Sequence, residues 1–407
     1  MNKENIDILV IAYYFNVEKS STGQILRRFF PNLPKDTFNS TIISVKNDQQ
    51  YTLPSNVNVI NVKESRLGIY LEKVLRNLGL NDLMMTPDYF RYSWGIGAHS
   101  VAKKLCAKHS YKYVHTISFP SSSHLIGYNL KKKYNIPWVA QFYDPWHTNP
   151  FRPISSSFFR KIDKKHESLV ANEADLIILP CHELVEDWKA RYGNKIESKI
   201  LELPFIASQH SEPLNVIRHS KVVISQIGSS NSKRHSDTFI RAICELNNSI
   251  PNLNEKLQVN YVGYVTQHEI DLIKELKVDN VVNIVGQLSE KECAFYFENS
   301  DIFLAVDANL ERNFFFPSKL LKYFEYQKPI LGLTTPNSVL EKELSSSNNF
   351  FFHIDNIDGV KSFIEKAINN YESICTNDKK YRDIFSADNV LSIYQGKVKE
   401  VIAKRND

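Results

Sequence analysis

Short apolar runs of strand length alternate with longer amphipathic stretches through most of the chain, and the alternation restarts once, near residue 206. Strand–helix–strand repetition of this kind predicts parallel sheets with helices on both faces. In the first half the strand-like runs are Asp7–Tyr14, Thr41–Val45, Val57–Val62, Tyr113–Ser118, Trp138–Phe142 and Ala174–Leu179, with HLIGYNLKKKYN as a helix between two of them. The stretch IASQHSEPLNVIRHS is polar and carries a proline, and reads as a linker. After it come KVVISQIGSS, LQVNYVGY, VVNIVG, DIFLAVDA and PILGL as strands, with DTFIRAICEL and the stretch after Pro317 as helices. The final amphipathic helix, Asp388–Lys404, is long enough to pack back on the first domain. The expected fold class is therefore α/β, with two Rossmann-like domains facing across a cleft. They span residues 1–205 and 206–387, and residues 388–407 return to the first.

Size and composition agree with two domains. A chain of 407 residues exceeds what one ordinary core supports. Cys106, Cys181, Cys244, Cys293 and Cys375 are odd in number, widely spaced and never C-x-x-C, which argues for reduced thiols rather than a disulfide or zinc framework. The opening MNKENIDILVIAYYF is too short for a span and lacks a cleavage pattern, so it reads as a buried first strand. A net charge of +5 suits an acidic ligand or a membrane surface, or simply a lysine-rich surface, without demanding nucleic acid.

Two cationic segments stand out in the second half. FFFPSKLLKYFEYQKPIL places Pro317, Ser318 and Lys319 at a helix start. Proline suits that turn because it has no N–H to satisfy. Free backbone N–H groups there favour an anion, and Lys319 adds a full charge. The same lysine also reads as an ordinary solvated residue. IGSSNSKRHSD sets Gly228, Ser229, Ser230, Lys233 and Arg234 between a strand and a helix. It matches neither G-x-x-x-x-G-K nor G-x-G-x-x-G, and alone it reads as a βα loop. A diphosphate would explain both segments. No D-x-D and no His/Cys cluster at ligand spacing is present, so no metal site is expected.

Several segments, in order and at their spacing, resemble the large retaining family of GT-B glycosyltransferases that build bacterial surface polysaccharides (glycosyltransferase family 4-like). They are Thr86-Pro87-Asp88 with Trp94, the stretch Ser118–Trp146, and Glu167 with Ala174-Asp175. In the second half they are Gly228–Arg234, Tyr261-Val262-Gly263, Val285-Gly286, Pro317–Leu320 with Tyr323, and Lys328–Leu331. The resemblance implies a UDP- or GDP-sugar substrate with no cofactor. Its donor set is Gly23, Gly228, Ser229, Arg234, Gly286, Ser318 and Lys319. Its acceptor set is His124, Tyr143 and Asp144. Asp144, Arg234 and Lys319 are assigned to catalysis, with His124 and His115 ranked below Asp144. GT-B enzymes generally need no bound metal, and the departing diphosphate needs electrostatic stabilisation.

The chain also departs from that pattern. Gln141-Phe142-Tyr143-Asp144-Pro145-Trp146 lacks an acid and an arginine usual there, and Lys322 stands where the family's ribose-binding glutamate falls. An ammonium cannot accept hydrogen bonds, so Glu311 or Glu325 is expected to take over. The leading reading is a cytoplasmic transferase at the inner face of the plasma membrane, extending a glycan or lipid-linked oligosaccharide. The alternatives are a phage-type DNA base glycosyltransferase and a non-catalytic GT-B scaffold or glycan binder; the mild charge argues against nucleic acid. Phe151, Phe158 and Phe159 beside Arg160, Lys161, Lys164 and Lys165 read either as a helix whose aromatics face the domain core or as an anionic-interface patch, as do Ile25–Phe30 more weakly.

Overall fold

The computed structural model describes residues 5–18, 20–47, 51–152, 154–207, 220–375 and 383–405. Most of the linker stretch, residues 208–219, lies outside them. The chain divides into two compact units, Met1–Ile206 with Ala387–Asp407, and Ala207–Ser386.

The first unit is built on seven strands, β1 (Ile6–Ile11), β2 (Phe38–Val45), β3 (Val57–Val62), β4 (Tyr113–Ile117), β5 (Trp138–Gln141), β6 (Leu176–Leu179) and β7 (Ile200–Glu202). They form one sheet in the order β3-β2-β1-β4-β5-β6-β7, and every pairing is parallel. Strands covered on both faces read as continuous apolar runs rather than alternating ones. β4, β5 and β6 are accordingly buried along their whole length. Leu9, Ile11, Ile43, Trp94, Val114 and Leu130 pack one core between the sheet and its helices.

Several motif residues of this unit hold the fold. The Asp88 carboxylate is fully buried and accepts from Ser122 N (2.5 Å), Ser122 Oγ (3.3 Å) and Phe90 N (2.9 Å). It thereby satisfies the N-terminus of the helix Ser122–Tyr134. That helix ends on Asn135 in the left-handed region, φ 54°. Asp175 accepts from Trp138 N (2.8 Å) and pairs with Lys131 (2.7 Å), fixing the start of β5.

The final helix, Ala387–Ala403, packs on the same sheet. Tyr394 meets Tyr113 Oη at 2.7 Å and His115 Nδ1 at 2.9 Å, while His115 Nε2 meets Gln141 Oε1 at 3.0 Å. Burial holds His115 neutral by pushing its pKa down to about 3. A neutral ring has one N–H, which must go to the Gln141 oxygen, so Tyr394 donates to Nδ1 and Tyr113 donates to Tyr394. His115 is thus a satisfied core residue. Ile25, Phe29 and Phe30 are buried too, which removes Ile25–Phe30 as a membrane surface.

The second unit repeats the plan with β8 (Val222–Ile227), β9 (Leu257–Val262), β10 (Val282–Gly286), β11 (Ile302–Val306), β12 (Ile330–Thr334) and β13 (Phe350–His353). Their order is β10-β9-β8-β11-β12-β13, again wholly parallel. Ile224, Ile243, Leu246, Val259, Leu304 and Ile364 belong to its core.

The most concentrated buried charge in the first unit is at Glu167. It is fully buried and accepts from His147 N (2.9 Å), His147 Nδ1 (3.0 Å), Tyr192 Oη (2.7 Å) and the Arg191 guanidinium. Burial alone would raise its pKa, but the His147 hydrogen bond and the Arg191 charge hold it near 2. A depressed carboxylate pKa contributes stability that is present above 4.5 and lost as pH falls towards 2. Glu167→Gln should cost about 3–5 kcal/mol in urea unfolding near neutral pH, and the gap to wild type should narrow in acid. An unchanged unfolding midpoint would refute the assignment.

Candidate functional site

The strand order of the second unit reverses between β8 and β11, and ligands of open α/β sheets bind beyond the strand C-termini at such a point. β8 ends in Gly228 at φ +126°, a conformation that side-chain-bearing residues rarely adopt. A Cβ on Gly263, at the end of β9, would come within 2.8 Å of the Gly228 carbonyl, so two glycines let these loops touch. Beneath them Tyr323 is fully buried in the helix Lys319–Glu325. Its hydroxyl accepts from Ile227 N (3.0 Å) and lies 3.2 Å from both Ile227 O and Leu304 O. It therefore ties the helix that carries Lys319 to the ends of β8 and β11.

The loop that carries Arg234 is fastened by a buried acid. Glu269 lies in the first turn of the helix Gln267–Glu275 and forms a capping box with Thr266. Its carboxylate accepts from Thr266 Oγ1 (2.8 Å), Ser236 N (2.9 Å), Ser236 Oγ (2.9 Å) and Ser230 Oγ (3.3 Å). Asn231 and Arg234 exchange backbone hydrogen bonds of 3.0 and 2.9 Å, and Lys233 O accepts from Asn309 N at 2.7 Å. Arg234 is thus held from the β9 side and from the loop after β11.

Charge converges on this crevice. Burial, then the Arg234 guanidinium, push the Lys319 ammonium down to about 7, against the attraction of Asp307 and Glu269. Asp307, at the end of β11, is buried and accepts from Asn313 Nδ2 at 2.7 Å. Burial raises its pKa to about 6, opposed by a Ser338 hydrogen bond and by Arg234 and Lys319. Two half-buried cations that repel one another suit a polyanion, whose arrival would restore full charge to Lys319.

Of the remaining expected residues, Gly228 lies at this crevice, where a Cβ would fall 3.9 Å from Lys319 Cδ. Gly228 and Ser229 are exposed at the end of β8, and Gly286 ends β10 at φ +86°, with its carbonyl accepting from Gly263 N at 2.8 Å. Ser318 makes no side-chain cap, and its helix has seven residues, so the site rests on side-chain charge rather than a macrodipole. Glu311 is exposed in the loop after β11. Glu325 is buried and pairs with Lys322 Nζ at 2.8 Å. Gly23 lies not in a loop but in the first turn of the helix Ser21–Phe29, where a Cβ would meet Tyr14 O at 2.5 Å and Val17 O at 2.7 Å.

In the first unit Asp144 is exposed just beyond β5. Tyr143 is buried against Phe205, ring centroids 5.1 Å apart. His124 is corrected outright. It is fully buried, bonds Thr116 Oγ1 through Nδ1 at 2.8 Å, and lies 4.3 Å from the Phe142 ring. Burial lowers its pKa to about 3, so it is a neutral core imidazole with no surface to offer an acceptor.

Sequence reasoning missed Glu269 and Asp307. T-x-x-E at Thr266–Glu269 is a visible capping signature, and Asp307 ends an apolar strand, where a site acid belongs. The expectation of no metal cluster also meets an exception, because His235, Asp237 and His268 converge although 235 and 268 are far apart in sequence.

A model of Glycosyltransferase Family 4 matches residues 74–200. No curated protein matches the sequence. Among solved structures the chain is similar to sucrose-phosphate synthase from Thermosynechococcus elongatus, at a TM-score of 0.70 and 12% identity over 98% of this chain and 100% of that one. It is similar to Anabaena HepE in complex with UDP-glucose, at 0.63 and 11% over 97% and 100%. It is also similar to a mutant TarM of S. aureus in complex with fondaparinux, α-GlcNAc-glycerol and UDP, at 0.65 and 10% over 96% and 99%. At such identities the likeness speaks to the fold. The likeness shows a two-domain fold of the GT-B type, and within it residues 74–200 are similar to Glycosyltransferase Family 4.

Proposed function

We propose that this chain is a glycosyltransferase that moves a hexose from a UDP- or GDP-sugar to a glycan or lipid-linked oligosaccharide during surface polysaccharide synthesis, with retention. The observation that carries the reading is the pairing of Arg234 and Lys319 at the β8/β11 switch point. The diphosphate sits against both cations, and Asp307 keeps them from being overcharged before it arrives. As the glycosidic C–O bond breaks, negative charge grows on the leaving phosphate, where the two cations stabilise it most. In a retaining reaction the same phosphate takes the acceptor proton, so no separate strong base is required, and Asp144 orients the acceptor. Side-chain cations do the work that a divalent ion does in other transferases, so turnover needs no metal. A UDP-glucose complex of HepE supports a uridine donor by analogy.

Work at the inner face of the plasma membrane fits the surface chemistry. No helix among the described residues is long and apolar enough to cross a membrane. Phe158 is 63% exposed in the helix Ser157–Glu173, beside exposed Arg160, Lys161, Lys164 and Lys165. Aromatic rings among cations suit an anionic interface.

Arg234→Ala and Lys319→Ala should each lower kcat/KM for nucleotide-sugar turnover by a factor corresponding to about 2–4 kcal/mol. Wild-type turnover in either variant would overturn the site. Lys319 also dictates a pH signature. Below about 7 it is charged before the donor arrives, and above that value binding must take up a proton. UDP affinity should therefore fall as pH rises from 7 to 9, with proton uptake seen calorimetrically in buffers of different ionisation enthalpy. Lys319→Arg, always charged, should flatten the profile; a flat wild-type profile would remove the titrating lysine from the donor site.

Because Glu325 is committed to Lys322, we assign the ribose hydroxyls to Glu311. Glu311→Ala should weaken UDP binding measured by calorimetry, whereas Lys322→Met should leave it intact. If Glu311→Ala binds normally and only Lys322→Glu binds UDP tightly, the chain has lost its donor site and is a scaffold.

A further inference from the structure

His235, Asp237 and His268 lie together on the second unit at the starts of two helices, Asp237–Ser249 and Gln267–Glu275. His235 Nδ1 is 2.8 Å from one oxygen of Asp237, and His268 Nε2 is 2.6 Å from the other. All three ligand atoms fall within 4.8 Å of one another. The side chains are 31%, 23% and 61% exposed respectively, so an ion could enter from solvent. We propose that these residues bind a borderline transition-metal ion, Zn²⁺ by preference. The proposal does not rest on the transferase reading.

Ligand chemistry selects the ion. Two imidazoles and one carboxylate are a nitrogen-rich set suited to zinc, copper or nickel, whereas Mg²⁺ and Ca²⁺ take oxygen ligands. Bond lengths of about 2.0–2.2 Å set tetrahedral ligand atoms a little over 3 Å apart. The two short hydrogen bonds need open only slightly, and the His pair close, to admit the metal. Three protein ligands leave a fourth position for water.

The ligands are also pre-positioned. Ser236, between His235 and Asp237, gives both its N–H and its hydroxyl to Glu269, each at 2.9 Å. His268 immediately precedes that same glutamate. One buried carboxylate thus sets the backbone of every ligand-bearing segment, as outer partners do in established metal sites. The positive charge of Arg241 acts against a cation at His268, which limits affinity. An ion bound between His235 and His268 would clamp the segment that carries Arg234.

The full chain, stripped with a chelator and titrated with Co²⁺, should bind one equivalent with visible d–d absorption that Zn²⁺ abolishes and Mg²⁺ does not. His268→Ala and Asp237→Asn should each weaken Co²⁺ binding by more than about tenfold. Both are surface changes, and circular dichroism would confirm that the variants are folded. No absorption band with wild type, or a band that survives in both variants, would overturn the site.

Discussion

The second unit depends on one buried carboxylate. Glu269 has no exposed surface, and it gathers its donors from its own helix and from the loop after β8. A buried acid that accepts several hydrogen bonds fixes the groups that donate to it. Those groups belong to the loop that ends in Arg234. The position of the guanidinium therefore follows from a residue that need never meet the ligand. Tyr323 does the same for Lys319 from below, through the ends of β8 and β11. The two cations are set from opposite sides of the crevice by neutral or acidic groups already satisfied elsewhere.

The first unit distributes its charge differently. Asp88, Glu167 and Asp175 are motif acids, yet each is spent on fold geometry: a helix start, a buried cluster and the head of a strand. In the second unit Lys328 is spent likewise, donating to Phe297 O, Glu298 O and Ser300 O at the end of the helix Glu290–Glu298. Recurrence of a residue type at a set spacing says that something requires it. Whether that something is a ligand or the backbone is decided by what the side chain meets.

This separates what was legible in the sequence from what was not. Buried parallel strands announce themselves as apolar runs, so β1, β4, β8 and β11 could be read directly. The edge strands β7 and β13 could not, because Ile200–Glu202 and Phe350–His353 are short and neither has a fully buried residue. Arg234 and Lys319 stand out in the sequence because a cation after a glycine turn or a proline has few structural uses, and the structure brings their charges close enough to repel one another. His124 misled because a histidine at a helix start just after a strand looks accessible, and only its burial against the tilted rings of Phe142 and Trp146 shows otherwise. Glu269 was missed because an acid in a capping pattern has an ordinary explanation, and in the structure it both caps its helix and holds the loop after β8; Asp307 was missed because a single acid after an apolar strand carries no pattern of its own. The His235–His268 pairing is invisible to spacing because β9 lies between its members.

The return of the helix Ala387–Ala403 to the first sheet makes the second unit a continuous insertion and the first a discontinuous one. During synthesis, residues 207–386 can leave the ribosome and fold as a whole while the first unit still lacks Tyr394. Until that tyrosine emerges, Tyr113 and the Nδ1 of His115 have no partner for the bonds that Tyr394 supplies. The first unit, although translated first, is therefore completed last, and its unfinished face must be tolerated for the time needed to make the whole of its neighbour.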